Sequence, residues 1–375
     1  MQESYITEIK IRQVRHLKDI TIQVNEKERT HLILTGKNGS GKTSVLEALR
    51  DYLQALVLNS GETMVNRSQL NIQFQERSNL AKDYKAGKFI LIYFDIFSRN
   101  AKNIKSAQKG SDVVSSKKFY RIEDDKRVEF EQFLVNQKFD QFLAKEEGEI
   151  GQYEKIGKWF ETLERKLTTI FDVSEVKLIY DRKKRKYQIK INGSNESTLQ
   201  TLPSGYASVI NILAELFIRM DNNGNPAYDQ QGIVLIDEID AHLHIELQKN
   251  ILPFLTSLFP KIQFIVSTHS PFILNSLQNA VVYDLEKKLR IEDLSRYSID
   301  GIVETYFDND KYSNEVKQEM EEYERLVFST NLDIQQKDRM YDLKRKFKKI
   351  PAHLAPELVS RFQQIESKRL SANHG

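Results

Sequence analysis

Four short stretches of this 375-residue chain carry side chains in patterns that could do chemistry. Residues 36–43 read Gly36-Lys37-Asn38-Gly39-Ser40-Gly41-Lys42-Thr43, a GxxxxGK[ST] loop without deviation. Glycines at this spacing let backbone N–H groups curl around a polyphosphate, and the start of a following helix adds a favourable dipole. Lys42 should reach the β- and γ-phosphate oxygens, and the Thr43 hydroxyl should ligate Mg²⁺. Ser44, next in the helix, is grouped with them as a nucleotide-binding residue. The expected ligands are ATP and Mg²⁺.

The second stretch, "GIVLIDEID", ends a strand-like aliphatic run on Asp237 and Glu238. Asp237 would hold Mg²⁺, directly or through water. Glu238 beside it could polarise an attacking water. Two solvated acids at a strand end are the plainer reading, which leaves the four preceding aliphatic residues unexplained. The third, "STHSP" at 267–271, ends the next strand, and His269 there can reach a γ-phosphate and help place the water. A lone strand-end histidine is more often structural, so His269 draws its weight from the order of the motifs. Lys42, Glu238 and His269 form the expected catalytic set.

The fourth stretch, "TLPSGYASVINILAE" at 201–215, is a second Ser-Gly turn about 160 residues after the phosphate loop. Ser204 could cap the helix that follows and still offer a hydroxyl, while Gly205 allows close backbone approach. Ile210, Leu213, Ala214 and Phe217 would anchor that helix in a core. An ordinary capped core helix is the alternative. His242 and His244 stand at i, i+2 with no third ligand near, a poor zinc pattern, and are read as structural.

These residues need elements to position them. "YITEIKI" and "DITIQV" alternate in the strand period, and "HLILT" is a compact apolar run feeding the phosphate loop. Residues 43–57 place Val45, Leu46, Leu49, Leu53 and Leu56 on one helical face. A strand is expected at 88–97, a polar loop at 100–118, two helices between about 128 and 171 with Trp159 as a core anchor, and a hairpin at 176–191 turning on "RKKRK". The runs at 232–236 and 262–267 have the Ile/Val character of buried parallel strands, and 281–293 adds a strand pair. From 298 onward the chain reads as charged helices, with no internal repeat and no long heptad run.

Composition sets outer limits. With no cysteine, disulfides, thiolate metal sites and cysteine nucleophiles are excluded. A formal net charge of +3 does not by itself argue for nucleic acid, so any basic surface must be local. Two short runs qualify, Arg182 to Lys186 and Lys344, Arg345, Lys346, Lys348 and Lys349, and each is equally well a solvated hairpin tip or helix face. No signal pattern opens the chain and no apolar run approaches a membrane span, so a cytoplasmic protein with no membrane partner is expected.

Taken in order, "GKNGSGKTS", "LPSGYAS", "IVLIDEIDAHLH" and "FIVSTHSPFIL" resemble the ABC-type ATPases of the SMC, RecF and overcoming-lysogenisation-defect group. Within that group the resemblance is to the small ATPases of bacterial defence islands, of the Septu and retron-linked kinds. It covers roughly residues 5–295. It implies an α/β fold of the P-loop NTPase class, an ABC-type ATPase head at 1–297 with a mixed or parallel sheet, a helical insertion at about 58–175, and a helical C-terminal extension at 298–375 for dimer or partner docking.

The resemblance also implies that two subunits dock head to tail, each Ser204-Gly205 turn capping the γ-phosphate held by the other, as a homodimer or higher oligomer. The opening "IKIRQVRHLKDITI" puts Arg15 where an arginine commonly approaches the nucleotide. Two departures stand out. The signature is "PSGYAS" rather than Ser-Gly-Gly-Gln, and no glutamine follows "ILIYF" to link the lobes, leaving Ser98 or Arg99 as unassigned substitutes. No TOPRIM-like segment or long coiled coil is visible, and the acidic "DND" at 308–310 reads as capping or solvation. The implied role is an ATP switch controlling a partner effector, a nuclease or toxin, in antiphage defence, with DNA as a further candidate partner. The alternative is a RecF-like DNA-binding repair ATPase.

Overall fold

The computed structural model describes residues 3–58, 69–76, 80–94, 127–193, 197–222, 225–226, 230–307, 314–329, 331–351 and 355–372. The expected loop at 100–118, the end of the strand expected at 88–97, Ser98, Arg99 and the "DND" run lie outside them. The chain divides into two compact units, Met1–Ile302 and Val303–Gly375.

The first unit is built on a six-stranded sheet. Its members are β3 (His31–Thr35), β5 (Phe89–Phe94), β11 (Gln231–Ile236), β12 (Ile262–Ser267), β13 (Ala280–Asp284) and β14 (Leu289–Glu292). Their order is β14-β13-β3-β12-β11-β5, parallel throughout except for the antiparallel β14. Central strands buried on both faces need apolar side chains at every position. β3 and β12 are buried along their whole length, and β11 at all but its first residue. The β11–β5 pairing also requires glycine, because a Cβ on Gly232 would stand 2.4 Å from Ile90 Cγ1 and 2.7 Å from its carbonyl oxygen.

A second, antiparallel sheet holds β2 (Leu17–Gln23), β1 (Ile6–Val14) and β4 (Leu70–Phe74) in that order. The helix α1 (Lys42–Leu58) shares one hydrophobic cluster with both sheets. Val45, Leu46, Leu49 and Leu53 are buried in it as their spacing predicts, joined by Tyr52, with Leu56 partly buried. Each such side chain withdrawn from water is worth roughly 1.5–3 kcal/mol. Gln263 of β12, fully buried, clamps the two sheets. It accepts from the Ile6 amide at 2.8 Å and donates to the carbonyls of Ile6 and Thr30 at 2.9 and 2.8 Å.

The segment at 58–175 contains β4, a short helix α2 (Leu80–Lys85) and the sheet strand β5 before its two long helices, α3 (Arg127–Glu146) and α4 (Ile150–Ile170). These helices join the hairpin β6 (Val176–Asp181) and β7 (Lys186–Ile191), to which β8 (Ser197–Thr198) pairs, and α5 (Ser204–Met220). Trp159 is the expected core anchor: it meets Phe133 and Phe217 edge to face at 5.8 and 5.7 Å. Phe217 continues the cluster to Phe259, beyond the end of the helix α6 (Ile245–Leu258). A two-residue pair, β9 (Asp221–Asn222) with β10 (Asn225–Pro226), follows α5, and the short helix α7 (Pro271–Leu274) follows β12.

The helix α8 covers Ile299–Phe307. The second unit holds α9 (Asn314–Phe328), α10 (Ile334–Lys348) and α11 (Pro356–Ala372) around a core of its own, with Met320, Tyr323, Met340, Leu343, Phe347 and Phe362. Asp333 and Gln336 close a capping box at the start of α10. Among the described residues no helix is long and apolar enough to cross a membrane.

Candidate nucleotide site

Between β3 and β11 lies β12, so the three strand ends that carry the motifs emerge side by side along one edge of the parallel sheet. Ligands of open α/β sheets bind beyond such carboxyl ends. The strand bearing His269 comes last of the three in sequence and lies in the middle in space.

The loop after β3 takes a shape that favours glycine at Gly36, Gly39 and Gly41. Gly36 and Gly41 have φ of 129° and 101°, and a Cβ on Gly41 would stand 2.7 Å from Leu17 Cδ1. Lys42 is buried and turned inward, donating to the carbonyls of Gly36 at 2.9 Å and Lys37 at 3.3 Å. Thr43 is half-buried and Ser44 buried at the start of α1. Lys37 and Asn38 are exposed at the tip, where the Lys37 ammonium lies 3.2 Å from Glu286. The Ser40 hydroxyl is buried without a hydrogen bond.

Asp237 is fully buried at the end of β11. Its Oδ1 accepts from the Ser267 hydroxyl at 2.5 Å, and that same hydroxyl accepts from the Glu238 amide at 2.8 Å. Glu238 has φ of 47°, a conformation that a non-glycine residue holds only when its surroundings enforce it. Thr268 donates to Asp240 at 2.5 Å and accepts from the Ser270 amide at 2.9 Å. Ser270 in turn donates to Gln248 at 2.6 Å. The two loops that carry Glu238 and His269 are thus laced together by hydroxyl groups.

Charge is concentrated here. Burial holds the Lys42 ammonium below the usual lysine range, opposed by the carboxylates of Glu238, Asp237, Asp240 and Asp284. Burial, then the charges of Asp237 and Asp240, push Glu238 above the ordinary glutamate range, with Lys42 pulling the other way. Burial and Lys42 lower His269, so its imidazole is neutral at pH 7. Its Nε2 is buried without a hydrogen bond. The residues fit a nucleotide with Mg²⁺. An inward lysine, glycine-only turns and two unsatisfied buried polar atoms, Ser40 Oγ and His269 Nε2, converge on one edge, with a hydroxyl and a carboxylate of the types that bind a hard cation.

Arg15 stands apart from this cluster. It occupies the β1–β2 turn with φ of 50°, its side chain 68% exposed and paired with Glu47 of α1 at 3.2 Å. Its neighbours His16 and Leu17 line a cleft of about 430 Å³ together with Lys37, Asn38, Gly39 and Ser40. Ser204 is also separate. It is the first residue of α5 and exposed, so Pro203 takes the position before the helix. Gly205 is buried, with a Cβ there meeting Leu247 Cδ1 at 3.0 Å. The cleft beside this turn is lined by Phe171, Pro203, Gly205, Tyr206, His244 and Leu247, among others, and shares no residue with the cleft of the phosphate loop. His242 and His244 belong to no metal-binding group among the described residues.

Sequence reasoning missed Ser267, Thr268 and Asp240, whose roles depend on strand order. It also missed Asp284, which ends β13 beside the loop. Asp284 is buried, accepts from the amides of Glu286 and Lys287 at 2.8 and 3.0 Å, and its Oδ1 lies 3.3 Å from a Cβ built on Gly36. A signal for it existed, since "AVVYD" repeats the pattern of "GIVLID", an acid ending an aliphatic run.

A protein-family model with the description "AAA domain, putative AbiEii toxin, Type IV TA system" matches residues 76–275. Among curated proteins, the chain is 36% identical over 151 residues to "Retron Ec83 probable ATPase" of Escherichia coli, covering 37% of this chain and 27% of that one. It is 34% identical over 119 residues to "Septu protein PtuA" of Bacillus mycoides (strain KBAB4), covering 30% and 17%. The matched stretch therefore spans about a quarter or less of the length of these relatives. Among solved structures, an SMC head bound to the C-winged helix domain of ScpA aligns with a TM-score of 0.40 at 14% identity, covering 75% of this chain and 93% of that one. A nucleotide-free ATP-binding cassette from an ABC transporter aligns with a TM-score of 0.39 at 15% identity, covering 82% and 97%.

Proposed function

The chain belongs to this AAA-domain family, and from that premise we propose that it is an Mg²⁺-dependent ATPase acting as a switch in antiphage defence. The observation that carries the reading is the juxtaposition of Lys42, Asp237, Glu238 and His269 in one electrostatic field at the sheet edge. Lys42 leaves the carbonyls of Gly36 and Lys37 to bind phosphate oxygens. Thr43 and Asp237 would hold the Mg²⁺, which would supply neutralisation of phosphate charge when bound. Glu238 accepts a proton from the attacking water, its raised pKa bringing its basicity nearer to neutral pH. The neutral His269 orients that water or the γ-phosphate without adding charge beside Lys42. Ser267 is a positioning residue for both carboxylates.

In this reading Ser204 and Gly205 act on a second copy. Gly205 lines a cleft separate from its own phosphate loop, and Ser204 is exposed at the start of a 17-residue helix whose dipole favours anions. ATP then closes a head-to-tail dimer, hydrolysis opens it, and the cycle governs an effector protein. The names of the Septu and retron relatives support the defence assignment.

The test compares wild type with Glu238→Gln for ATP hydrolysis and for mass by light scattering in ATP and Mg²⁺. The variant is expected to bind ATP, hydrolyse it at least 100-fold more slowly and accumulate as a dimer, a loss of the size general-base catalysis supplies, roughly 10²–10⁴-fold. Hydrolysis by Glu238→Gln at the wild-type rate would refute the assignment. Affinity capture of the same variant from its host, expected to retain a nuclease or toxin in stoichiometric amount, tests the effector.

A further inference from the structure

The nucleotide reading leaves one feature unused, the basic hairpin at 182–186. In the fold this turn does not stand alone. It borders a groove of about 490 Å³ between α3, α4 and the β6–β7 hairpin, within the usual ligand-site range of roughly 300–1,000 Å³. Tyr187, buried, forms the floor, stacking on Phe160 with centroids 5.7 Å apart and tilted at 45° against Tyr180 at 5.4 Å. Phe142 stands 37% exposed on the wall. Two cations lie over these rings. The Arg182 guanidinium is 5.5 Å from the Phe142 centroid, and the Lys138 ammonium is 5.8 Å from Phe142 and 5.7 Å from Phe160.

Two carboxylates also line the groove. Glu164 accepts from the Leu178 amide at 2.8 Å and the Lys177 ammonium at 3.1 Å, so its charge is compensated, whereas Glu161 faces the groove. Asp181 is spent on the turn itself, accepting from the amides of Lys183 and Lys184 at 2.9 and 3.1 Å. Lys184 pairs with Asp181 at 3.7 Å, and Lys183, Arg185 and Lys186 extend exposed positive charge from the mouth of the groove. Partly exposed aromatic rings, cations packed on them and a basic ridge leading away are the parts of a stacking platform with a phosphate track.

We propose that this groove binds single-stranded nucleic acid, with bases stacked on Phe142, Phe160 and Tyr180 and the phosphates following Arg182 and the hairpin tip. A duplex keeps its bases stacked internally and offers no free faces, so single strands are preferred. The proposal does not rest on the nucleotide site, and either can fail without the other.

Anisotropy with labelled oligothymidine and oligouridine of about 20 nucleotides, alongside a duplex of equal length, tests it on the full chain. Single strands should bind at low salt and the duplex more weakly, and the relative affinity of the two strands identifies DNA or RNA as the preferred source. Phe142→Ala should weaken binding about 5- to 150-fold while retaining a cooperative urea-unfolding transition read by the fluorescence of Trp159, which shows the fold intact. Lys183→Ala with Arg185→Ala should reduce the slope of log K against log salt by about 1.4. Lys42→Ala should leave oligonucleotide binding unchanged. Absence of single-strand binding at low salt, equal binding of duplex, or indifference to Phe142→Ala overturns the proposal. So does an acidic peptide of matched charge that binds as tightly and displaces the oligonucleotide.

Discussion

Replacing Ser267 with alanine removes one oxygen and disturbs both acids of the site. The hydroxyl donates to Asp237 Oδ1 at 2.5 Å and accepts from the Glu238 amide at 2.8 Å, and both Ser267 and Asp237 are fully buried. A hydrogen bond to a buried charged group is worth roughly 1.5–3 kcal/mol, and an amide left without its acceptor costs roughly 1 kcal/mol more. Ser267→Ala should therefore destabilise the first unit by about 3 kcal/mol. Trp159 is the sole tryptophan and lies buried in that unit, so its fluorescence during urea unfolding reads the loss directly. Hydrolysis should fall by one to two orders of magnitude, roughly the cost of misplacing a catalytic group by 1 Å. Ser267→Thr, which restores the hydroxyl, should recover much of the activity, and Ser267→Val, which fills the volume without it, should not. Stability within 0.5 kcal/mol of wild type, together with unchanged turnover, would refute the view that this hydroxyl positions Asp237 and Glu238.

Three further outcomes are expected. His31, buried with Nδ1 accepting from the Phe264 amide at 3.0 Å, is lowered to about 4 by burial and by Arg29. Because the unfolded state takes up the proton first, stability should be lost as pH falls from about 6.5 toward 4, by up to about 3 kcal/mol, and His31→Gln should flatten that limb of a urea-midpoint profile. Glu238 titrates above the ordinary glutamate range, so hydrolysis should decline on acidification at a pH higher than a free glutamate would give, measured as kcat against pH. Tyr323, in the core of the second unit, donates to the half-buried Glu366 at 2.6 Å. Tyr323→Phe should cost that unit about 1–3 kcal/mol in thermal unfolding, with ATP hydrolysis unaffected.

Much of the site was legible because its chemistry is local. The phosphate loop is eight consecutive residues between a buried strand and a helix, and the glycines, the lysine and the threonine each occupy a position the loop geometry demands. The Asp237–Glu238 pair announces itself by ending an aliphatic run, and the burial of α1 follows from helical spacing alone. What the sequence left open depends on pairing between distant segments. Buried parallel strands are near-uniform apolar runs, and nothing in "GIVLI" or "IQFIVS" says which lies beside "HLILT". Only the fold inserts β12 between β3 and β11. That placement turns Ser267 into a bridge, ties Thr268 to Asp240 and brings His269 under the influence of Lys42. Only the fold sends Arg15 to Glu47 on the surface and sets the hairpin of basic residues beside an aromatic groove. Residue types chose the chemistry, while strand order and packing, which act over 30 to 257 residues of separation, chose the partners.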